Sequence, residues 1–285
     1  MTVGQDQTPF VAIGGLGGSG TRIVAEIVGK LGFYLGPVLN AQMDSLLFTL
    51  MFKQRPWFDQ FPTDAKVDRT ITNFASAMQH GVSQAFRDIP SSAIKDWYQN
   101  AKGMGVSLPV LIDILRSDPP DMSVHSGVAW KEPNTHVFLP HLMRNFPNMK
   151  YIHVVRHGLD MALSGNRQQL NNWGRHFGID PDASVSPSSS QLEYWLAANH
   201  KAIDLGKKMK QDHFYVLNYD ALCEDFKSQL APLEGFLNRS LTDSQRAYFS
   251  GHIGSSSIGR YKSVPAGTFS DTERQAVQNL GFAVD

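Results

Sequence analysis

Nine residues rich in glycine, GGLGGSGTR at positions 14–22, lie between an apolar run and a segment with helical periodicity. A glycine turn that leads from a strand into a helix directs backbone N–H groups and the positive end of the helix dipole toward one point. Such a point binds an anion, most often a phosphate. Because so many glycines after a buried strand are destabilising unless another group approaches the backbone closely, the sequence favours an anion site over an empty tight turn.

Three kinds of phosphate loop compete for this cluster. Gly15 and Gly20 have the separation of a Walker A loop, but Thr21 and Arg22 stand where that loop requires lysine and Ser/Thr, so nucleotide hydrolysis is not expected. Gly15, Gly17 and Gly20 also fit the dinucleotide pattern G-x-G-x-x-G, yet FYLGPVLN lacks the acidic residue expected at the end of the next strand. The third possibility is a loop in which SGTR binds a phosphosulfate.

A second candidate anion group lies in YIHVVRHGLDMALSGN, residues 151–166. Arg156 ends a predicted strand and Ser164 follows eight residues later inside a predicted helix, so a guanidinium fork and a hydroxyl are placed to grip one phosphate. Arg156, His157 and Gly158 also spell the RHG signature of histidine phosphatases, in which His157 would be the nucleophile. In that family RHG normally opens the fold, whereas here it lies past the middle of the chain, so we expect His157 to be a loop residue.

The elements that must position these groups alternate along the chain. Each apolar run is followed by a helical pattern, and the predicted strands are Pro9–Ile13, Gly127–Trp130, Tyr151–Val155 and Phe214–Asn218. Helices are predicted from residue 21 to 31, 135 to 144 and 158 to 169. This alternation predicts an α/β fold, a P-loop-like and largely parallel sheet flanked by helices. Such sheets bind ligands at the carboxyl ends of their strands, where the glycine cluster, Lys131, Arg156 and Tyr219 fall.

Two segments stand outside the alternation. Residues 51–126 lack a convincing strand and carry helical patterns rich in aromatic residues, namely Trp57, Phe58, Phe61, Phe74, Phe86, Trp97 and Tyr98. We predict a helical insertion whose aromatic residues either pack a core or form a cap over a binding pocket. Residues 171–190, which end in the serine-rich SVSPSSS, are predicted to be a flexible polar loop, with a tolerant surface loop favoured over a mobile lid.

Composition narrows the possible partners. The 285 residues, 42% of them hydrophobic, suit one α/β domain over 1–285, and 26 basic against 26 acidic residues give zero net charge. No global positive field is therefore present to hold nucleic acid or an anionic membrane. The one cysteine, Cys223, excludes an intramolecular disulfide and fits a reducing compartment. With no signal-like leader in MTVGQDQTPF and no apolar run of about 18 residues, we expect a soluble cytoplasmic protein without a membrane span.

Together these motifs resemble the sulfotransferase family, whose members use 3′-phosphoadenosine-5′-phosphosulfate. SGTR after a strand looks like the family's 5′-phosphosulfate loop, and strand-R-x7-S looks like its 3′-phosphate motif. NYDALCEDF is similar to the stretch that places a tyrosine near the adenine, and SIGRYKSV resembles the last cofactor segment, whose basic residues would meet the 3′-phosphate. The matches follow the family's order outside the insertion. The resemblance implies a cofactor site of Gly17, Gly18, Ser19, Gly20, Thr21, Arg22, Arg156, Ser164, Tyr219, Arg260 and Lys262.

A lysine after the strand Gly127–Trp130 is the candidate for charge stabilisation. WKEP resembles a K-[TE]-P element of glycan-modifying sulfotransferases, whose lysine lies near the scissile bond. The basic residue that commonly precedes the S/G-G-T of the family's loop is replaced here by Gly18, so another cation must neutralise the leaving phosphate. We assign Lys131 to the bridging oxygen and Arg22 to the loop phosphate. A solvated surface lysine is the alternative for Lys131.

The acceptor's hydroxyl or amine needs a general base. In similar glycan sulfotransferases the segment after the first βα unit supplies it, and Asp44 is the only acid in GPVLNAQMDSL. Asp44 could equally cap a helix that begins near Ser45. The reserve candidates are Glu132, His136 and His125.

The resemblance therefore implies in-line transfer of a sulfuryl group to a hydroxyl or amine of a small-molecule, glycan or lipid acceptor. Adenosine 3′,5′-bisphosphate would be the product, no metal would take part, and no nucleic-acid partner is expected. Two alternatives stay open. One is a nucleotide-binding module that has lost its chemistry, and the other is a phosphatase or nucleotide kinase that uses the glycine loop or the RHG segment.

Overall fold

Strand β1, Phe10–Gly15, leads directly into the glycine cluster, and all six of its residues are buried. The computed structural model describes residues 10–182, 186–254 and 258–284, so Pro9 of the predicted strand lies outside the described residues. The other strands are β2 Phe33–Tyr34, β3 Gly127–Lys131, β4 Lys150–Val155 and β5 Phe214–Asn218. They form one sheet of order β2-β3-β1-β4-β5, in which β3 pairs in parallel with both β1 and β2.

The helices surround this sheet as the alternation of patterns predicts, and the α/β fold is confirmed. The helices of the described residues are α1 Thr21–Lys30, α2 Leu46–Phe52, α3 Arg55–Asp59, α4 Asp64–His80, α5 Val82–Ala85, α6 Ser91–Ala101, α7 Leu108–Leu115, α8 Leu139–Asn145, α9 Gly158–Ala162, α10 Gln168–Trp173, α11 Pro187–Gly206, α12 Tyr219–Glu224, α13 Phe226–Leu237, α14 Asp243–His252 and α15 Asp271–Asn279. Short 3₁₀ helices are Pro133–Phe138, Gly174–Phe177, Gln211–His213 and Arg260–Ser263. The helix predicted over 135–144 thus begins as a 3₁₀ helix and continues as α8. Strand β2 is too short to leave a pattern in the sequence.

Within the described residues the chain divides into two compact units. The first unit comprises residues 10–14 and 22–152, and the second comprises residues 15–21 and 153–284. The first therefore holds most of β1, nearly all of α1 and the predicted helical insertion. The second holds the glycine loop, the end of β4 and the C-terminal helices.

Aromatic rings fill the core of the first unit. Phe48 and Phe52 of α2 stack at 4.3 Å between ring centroids, and Phe52 contacts Phe138 at 5.1 Å. Phe74 of α4 meets the edge of Trp130 in β3 at 5.3 Å. All five side chains are fully buried. The aromatic residues of α2 and α4 thus pack the insertion onto the strand that carries Lys131.

The second unit positions Arg156 through the contact of α9 with α11. A Cβ atom on Gly158 would lie 2.8 Å from the Trp195 ring and 2.9 Å from Val277, so only glycine allows this approach. The Trp195 indole then donates to the Arg156 carbonyl oxygen at 3.1 Å. The backbone at the end of β4 is therefore fixed by a buried hydrogen bond.

The helix predicted over residues 158–169 is two shorter helices. α9 ends at Ala162 and α10 begins at Gln168, with a turn between them. Ser164 lies in this turn rather than in a helix, and its hydroxyl accepts the Asn166 N–H at 3.2 Å. Short polar side chains that bond the nearby backbone compete with helix formation, which explains the break.

The polar loop predicted over residues 171–190 is shorter than expected. α10 and the following 3₁₀ helix occupy its first part, and α11 begins at Pro187. The serines start this helix, because Ser186 Oγ accepts the Ser189 N–H at 3.2 Å and proline suits the first helical position. The predicted flexibility falls partly on residues 183–185, outside the described residues.

No helix of the described ranges is long and apolar enough to cross a membrane. In the same ranges no group of three or more His, Cys, Asp or Glu side chains is arranged to hold a metal ion.

Candidate functional site

The glycine loop of the second unit has a backbone that favours glycine at three positions. Gly15, Gly18 and Gly20 have φ values of 150°, 94° and 93°, in the region that other residues rarely adopt. The Ser19 N–H donates to Leu16 O at 3.0 Å and closes the turn. The turn delivers the chain to the first residues of α1, where a helix has no internal partners for its N–H groups.

A buried hydroxyl lies inside this loop. Ser19 is 1% exposed, and its Oγ atom has no hydrogen-bond partner among the described residues. A buried hydroxyl without a partner costs about 1–3 kcal/mol, so such groups mark either strain or the place of a ligand atom. Next to the N-terminus of a ten-residue helix, the missing partner would be an anionic or polar oxygen.

The Tyr219 ring covers the loop. A Cβ atom on Gly20 would lie 2.0 Å from Cδ2 of this ring, which leaves no room for any side chain there. Tyr219 is the first residue of α12 and directly follows β5. Burial raises the pKa of Tyr219 to about 12, so the phenol is neutral at physiological pH.

Arg156 completes a group that we call the loop cluster, made of Ser19, Gly20, Arg156 and Tyr219. The arginine side chain is 8% exposed, and its Nη1 donates to Gly18 O at 3.2 Å. Its guanidinium carbon lies 5.8 Å from the centre of the Tyr219 ring. The structure thus brings the predicted arginine, tyrosine and glycine loop together in one place.

Ser164 and Gly17 line a neighbouring cavity of the second unit. This cavity is small and partly open, and it is bounded by Leu16, Gly17, Ser164, Gln169, Gln191 and Trp195, among others. The Gly17 N–H donates to Gln169 Oε1 at 2.7 Å, so this loop donor is already engaged. Of the N–H groups predicted to meet an anion, those of Gly20 and Thr21 at the helix start fit that role better.

The C-terminal segment around Arg260 is hydrogen-bonded to Asp160, an acid that the sequence motifs did not single out. Asp160 is fully buried, and its carboxylate accepts the Gly259 N–H at 2.7 Å and the Tyr261 N–H at 2.9 Å. Arg260 donates through Nη2 to the Asp160 carbonyl oxygen at 2.7 Å, while Lys262 is exposed. The available signal was spacing, since Asp160 lies one helical turn after Arg156.

His157 has the contacts of a structural residue. Its backbone N–H donates to Asp220 Oδ2 at 2.8 Å, and burial raises the pKa of that acid. The imidazole stacks on Tyr261 at 4.4 Å between ring centroids, and Nε2 lies 2.8 Å from Ala283 O. Because His157 is buried and its Nε2 is engaged by a backbone carbonyl, this nitrogen is not free to attack phosphorus, which disfavours the phosphatase alternative.

Lys131 and Asp44 form a buried ion pair in the first unit, here called the lysine pair. Lys131 is 3% exposed, donates to Gln42 O at 3.0 Å and contacts Asp44 Oδ1 through the same Nζ. The Ser45 N–H donates to Lys131 O at 2.7 Å and ties the end of β3 to the start of α2. The lysine is therefore not the solvated surface charge of the alternative interpretation.

The turn that carries Asp44 is built by Asn40. Asn40 Oδ1 accepts the N–H groups of Gln42 and Asp44, while its Nδ2 donates to Asp44 Oδ2 at 3.0 Å. Ser45, not Asp44, caps α2, since its hydroxyl accepts the Phe48 N–H at 3.3 Å. The carboxylate of Asp44 is thus directed to the lysine.

The other candidates of the first unit have separate contacts. Glu132 is buried, lies 3.4 Å from Lys53 Nζ and accepts the Asn134 N–H at the start of a 3₁₀ helix. His136 Nδ1 lies 2.8 Å from Pro133 O, and His125 Nδ1 lies 3.4 Å from Gly32 O. The Arg22 side chain is 55% exposed, with Glu26 at 3.7 Å one helical turn away.

The chain is similar to known proteins at the level of family and fold. A protein-family model for the sulfotransferase family matches residues 9–243 of the chain. A search of curated proteins found no match. Among solved structures, the chain is similar to the sulfotransferase domain of the Synechococcus PCC 7002 olefin synthase, with 17% identity, a TM-score of 0.53 and coverage of 99% of this chain and 98% of that one. It is also similar to the sulfotransferase domain from the curacin biosynthetic pathway, with 14% identity, a TM-score of 0.53 and coverage of 98% and 100%. At such identities the structural likeness shows the fold.

The contact between Gly20 and Tyr219 predicts a stability difference. Gly20→Ala must adopt an unfavourable positive φ and also displaces the tyrosine ring, whereas Gly178→Ala meets the backbone cost alone, because no atom lies within 4 Å of its Cβ position. We expect Gly178→Ala to lower the free energy of unfolding by about 1–2 kcal/mol. Gly20→Ala should lower it by about 1–3 kcal/mol more. Urea unfolding followed by circular dichroism measures both, and equal losses would show that the ring does not constrain the loop.

Proposed function

The chain belongs to the sulfotransferase family, and on that premise we propose that it moves a sulfuryl group from 3′-phosphoadenosine-5′-phosphosulfate to a hydroxyl or amine of an acceptor. The observation that carries this proposal is the loop cluster. It combines a buried hydroxyl that lacks a partner among the described residues, a helix N-terminus and a buried arginine. These are the groups that bind phosphate-like anions in proteins.

The residues of the second unit fit the two ends of a doubly phosphorylated nucleotide. Ser19 Oγ and the N–H groups of Gly20 and Thr21 would hold the 5′ end, where the positive end of α1 favours an anion. Arg156 would bind the 3′-phosphate through its planar fork, exchanging the weak neutral acceptor Gly18 O for a charged one. Other residues proposed for the nucleotide are Gly17, Gly18, Ser164, Tyr219, Arg260 and Lys262. When bound, the nucleotide supplies the sulfuryl group and leaves as the bisphosphate.

In this proposal the lysine pair would supply a cation for the leaving oxygen and a general base for the acceptor. An ammonium has three N–H donors, and in the described structure Lys131 directs two of them to Gln42 O and Asp44. The third is available to stabilise negative charge on the leaving oxygen as in-line transfer proceeds. Asp44 would accept the acceptor's proton, and Arg22 would add positive charge at the loop phosphate. In this proposal cationic side chains, not a metal, neutralise the leaving group.

Two alternative functions would differ from the proposed one in the ligands bound and the products released. A nucleotide-binding module without chemistry would bind the bisphosphate and never break down the donor. A phosphatase or kinase would release phosphate from sugar phosphates or ATP. The contact of His157 Nε2 with Ala283 O supports neither a phosphatase nor a kinase. The acceptor is open among hydroxyl and amine compounds.

Loss of Arg156 should remove most of the nucleotide affinity. Arg156→Ala deletes a buried charged fork, so we expect adenosine 3′,5′-bisphosphate to bind about 10–100-fold more weakly by isothermal titration calorimetry. Arg156→Lys keeps the charge but loses the fork, and an intermediate loss is expected. Arg175→Ala is the matched control, because Arg175 pairs with exposed Asp182 at 3.1 Å. Unchanged affinity in Arg156→Ala would overturn the proposed nucleotide site.

Loss of Lys131 should reduce turnover more than donor binding. With sulfur-labelled donor, slow hydrolysis by water provides a rate without a known acceptor. Lys131→Ala should lower that rate about 10²-fold, because the charge develops in the transition state, while the dissociation constant of the donor changes little. Lys207→Ala, which removes an exposed lysine paired with Asp204, is the control. Equal losses of rate and affinity would reduce Lys131 to a binding residue, and no hydrolysis by the unmodified protein would favour the module without chemistry.

A further inference from the structure

Asp160 is a buried carboxylate that the proposed chemistry does not use. It lies in the first turn of α9 and is fully inaccessible to solvent. A carboxylate is buried in proteins only where hydrogen bonds or opposite charges compensate the loss of water. The groups that compensate the charge of Asp160 therefore indicate its role.

Asp160 contacts Arg156 and Arg260, the two arginines assigned to the nucleotide, and it also contacts the backbone on either side of Arg260. Arg156 Nη2 lies 4.0 Å from Asp160 Oδ2 on one side. On the other, the carboxylate accepts the N–H groups of Gly259 and Tyr261, which flank Arg260 in the sequence. Arg260 Nη2 donates to the Asp160 backbone oxygen at 2.7 Å. One buried acid is thus bonded on both sides of Arg260 and faces Arg156.

The segment 258–263 is a short turn that could not fix Arg260 by itself. Within it, Gly259 has a φ of 78° and precedes the four-residue 3₁₀ helix Arg260–Ser263. Tyr261 is held by its stack on His157, but Arg260 and Lys262 are exposed. Exposed side chains on a short turn lose much conformational freedom on binding a phosphate unless their backbone is held.

We propose that Asp160 is a positioning residue that holds Arg260 and Arg156 for recognition of the 3′-phosphate, and so sets the preference for a 3′-phosphorylated nucleotide. This inference rests on the proposed function. The negative charge of Asp160 is balanced by two N–H groups and by Arg156, so it orders the basic residues without repelling the phosphate. Asp160 itself touches no ligand.

The test compares two nucleotides that differ only in the 3′-phosphate. Adenosine 3′,5′-bisphosphate and adenosine 5′-monophosphate are titrated calorimetrically into the full chain and into Asp160→Asn. The amide has one acceptor oxygen and turns an NH₂ group toward one of the two backbone donors, so the turn is released. We expect bisphosphate affinity to fall about tenfold or more and monophosphate affinity to change by less than about twofold.

Glu234→Gln provides a matched control. Glu234 is also a buried carboxylate of the second unit, and it accepts the Leu241 N–H at 2.7 Å and pairs with Arg246 at 2.8 Å. Its replacement alters a buried acid of the same kind without touching segment 258–263. The preference for the bisphosphate should therefore be unchanged in Glu234→Gln. A loss of preference there as large as in Asp160→Asn would reduce Asp160 to a general structural role.

A second variant keeps the inference testable if Asp160→Asn does not fold. Gly259→Ala adds a Cβ with no atom closer than 4.0 Å but disfavours the positive φ, so it should shift the same N–H group from the carboxylate. It should show the same selective loss for the bisphosphate. Retained preference in a folded Asp160→Asn, or in Gly259→Ala when the first variant is unfolded, overturns the inference alone. An unmodified protein that binds both nucleotides equally overturns the proposed function instead.

Discussion

The close contact between the Tyr219 ring and Gly20 is the constraint on which the proposed nucleotide site depends. The ring occupies the space in which any side chain at position 20 would lie, so the loop keeps a backbone that only glycine adopts readily. That backbone buries Ser19 Oγ and delivers the first N–H groups of α1 to the same turn. A loop that costs stability in this way is retained where a ligand restores the lost interactions, which is the physical basis for the proposed phosphate site.

Arg156 joins the elements of the second unit around this loop. Its carbonyl oxygen accepts from Trp195, its guanidinium bonds Gly18 O, and it faces Asp160. Trp195 is held in turn by the network of α11, where Asn199 bonds both the Trp195 carbonyl oxygen and His153 of β4. Buried contacts thus restrict the arginine before any ligand binds, which lowers the entropic cost of binding an anion.

In the first unit a hydrogen-bonded turn orients the lysine pair. Asn40 builds the turn around Asp44, and Met43 within this turn has a φ of 63° without being a glycine. Backbone conformations of this kind cost of order 1–3 kcal/mol and persist where surrounding contacts enforce them. The turn presents both a carboxylate and the Gln42 carbonyl oxygen to one buried ammonium, which suits Lys131 to a role in charge stabilisation.

The sequence predicted the elements whose signals are local and repeated. The apolar runs before Gly14, Lys131, Arg156 and Tyr219 are strands, because a buried parallel strand needs a continuous apolar run. Sequence order alone did not show that short polar residues after Ala162 end α9, or that a serine-rich stretch begins α11 with Ser186 as its cap. Asp160 was missed for a related reason, since the two N–H groups that its carboxylate accepts lie about a hundred residues away and no periodicity reports them. Contacts between distant segments are decided by packing, and packing is visible only in the folded chain.

The most direct test of the central claim is a crystal structure of the protein with adenosine 3′,5′-bisphosphate. We predict a 5′-phosphate oxygen within hydrogen-bond distance of Ser19 Oγ and the Gly20 N–H, and the Arg156 guanidinium moved from Gly18 O onto the 3′-phosphate. A bound nucleotide that leaves Ser19 Oγ without a partner and Arg156 on the loop carbonyl would contradict the account.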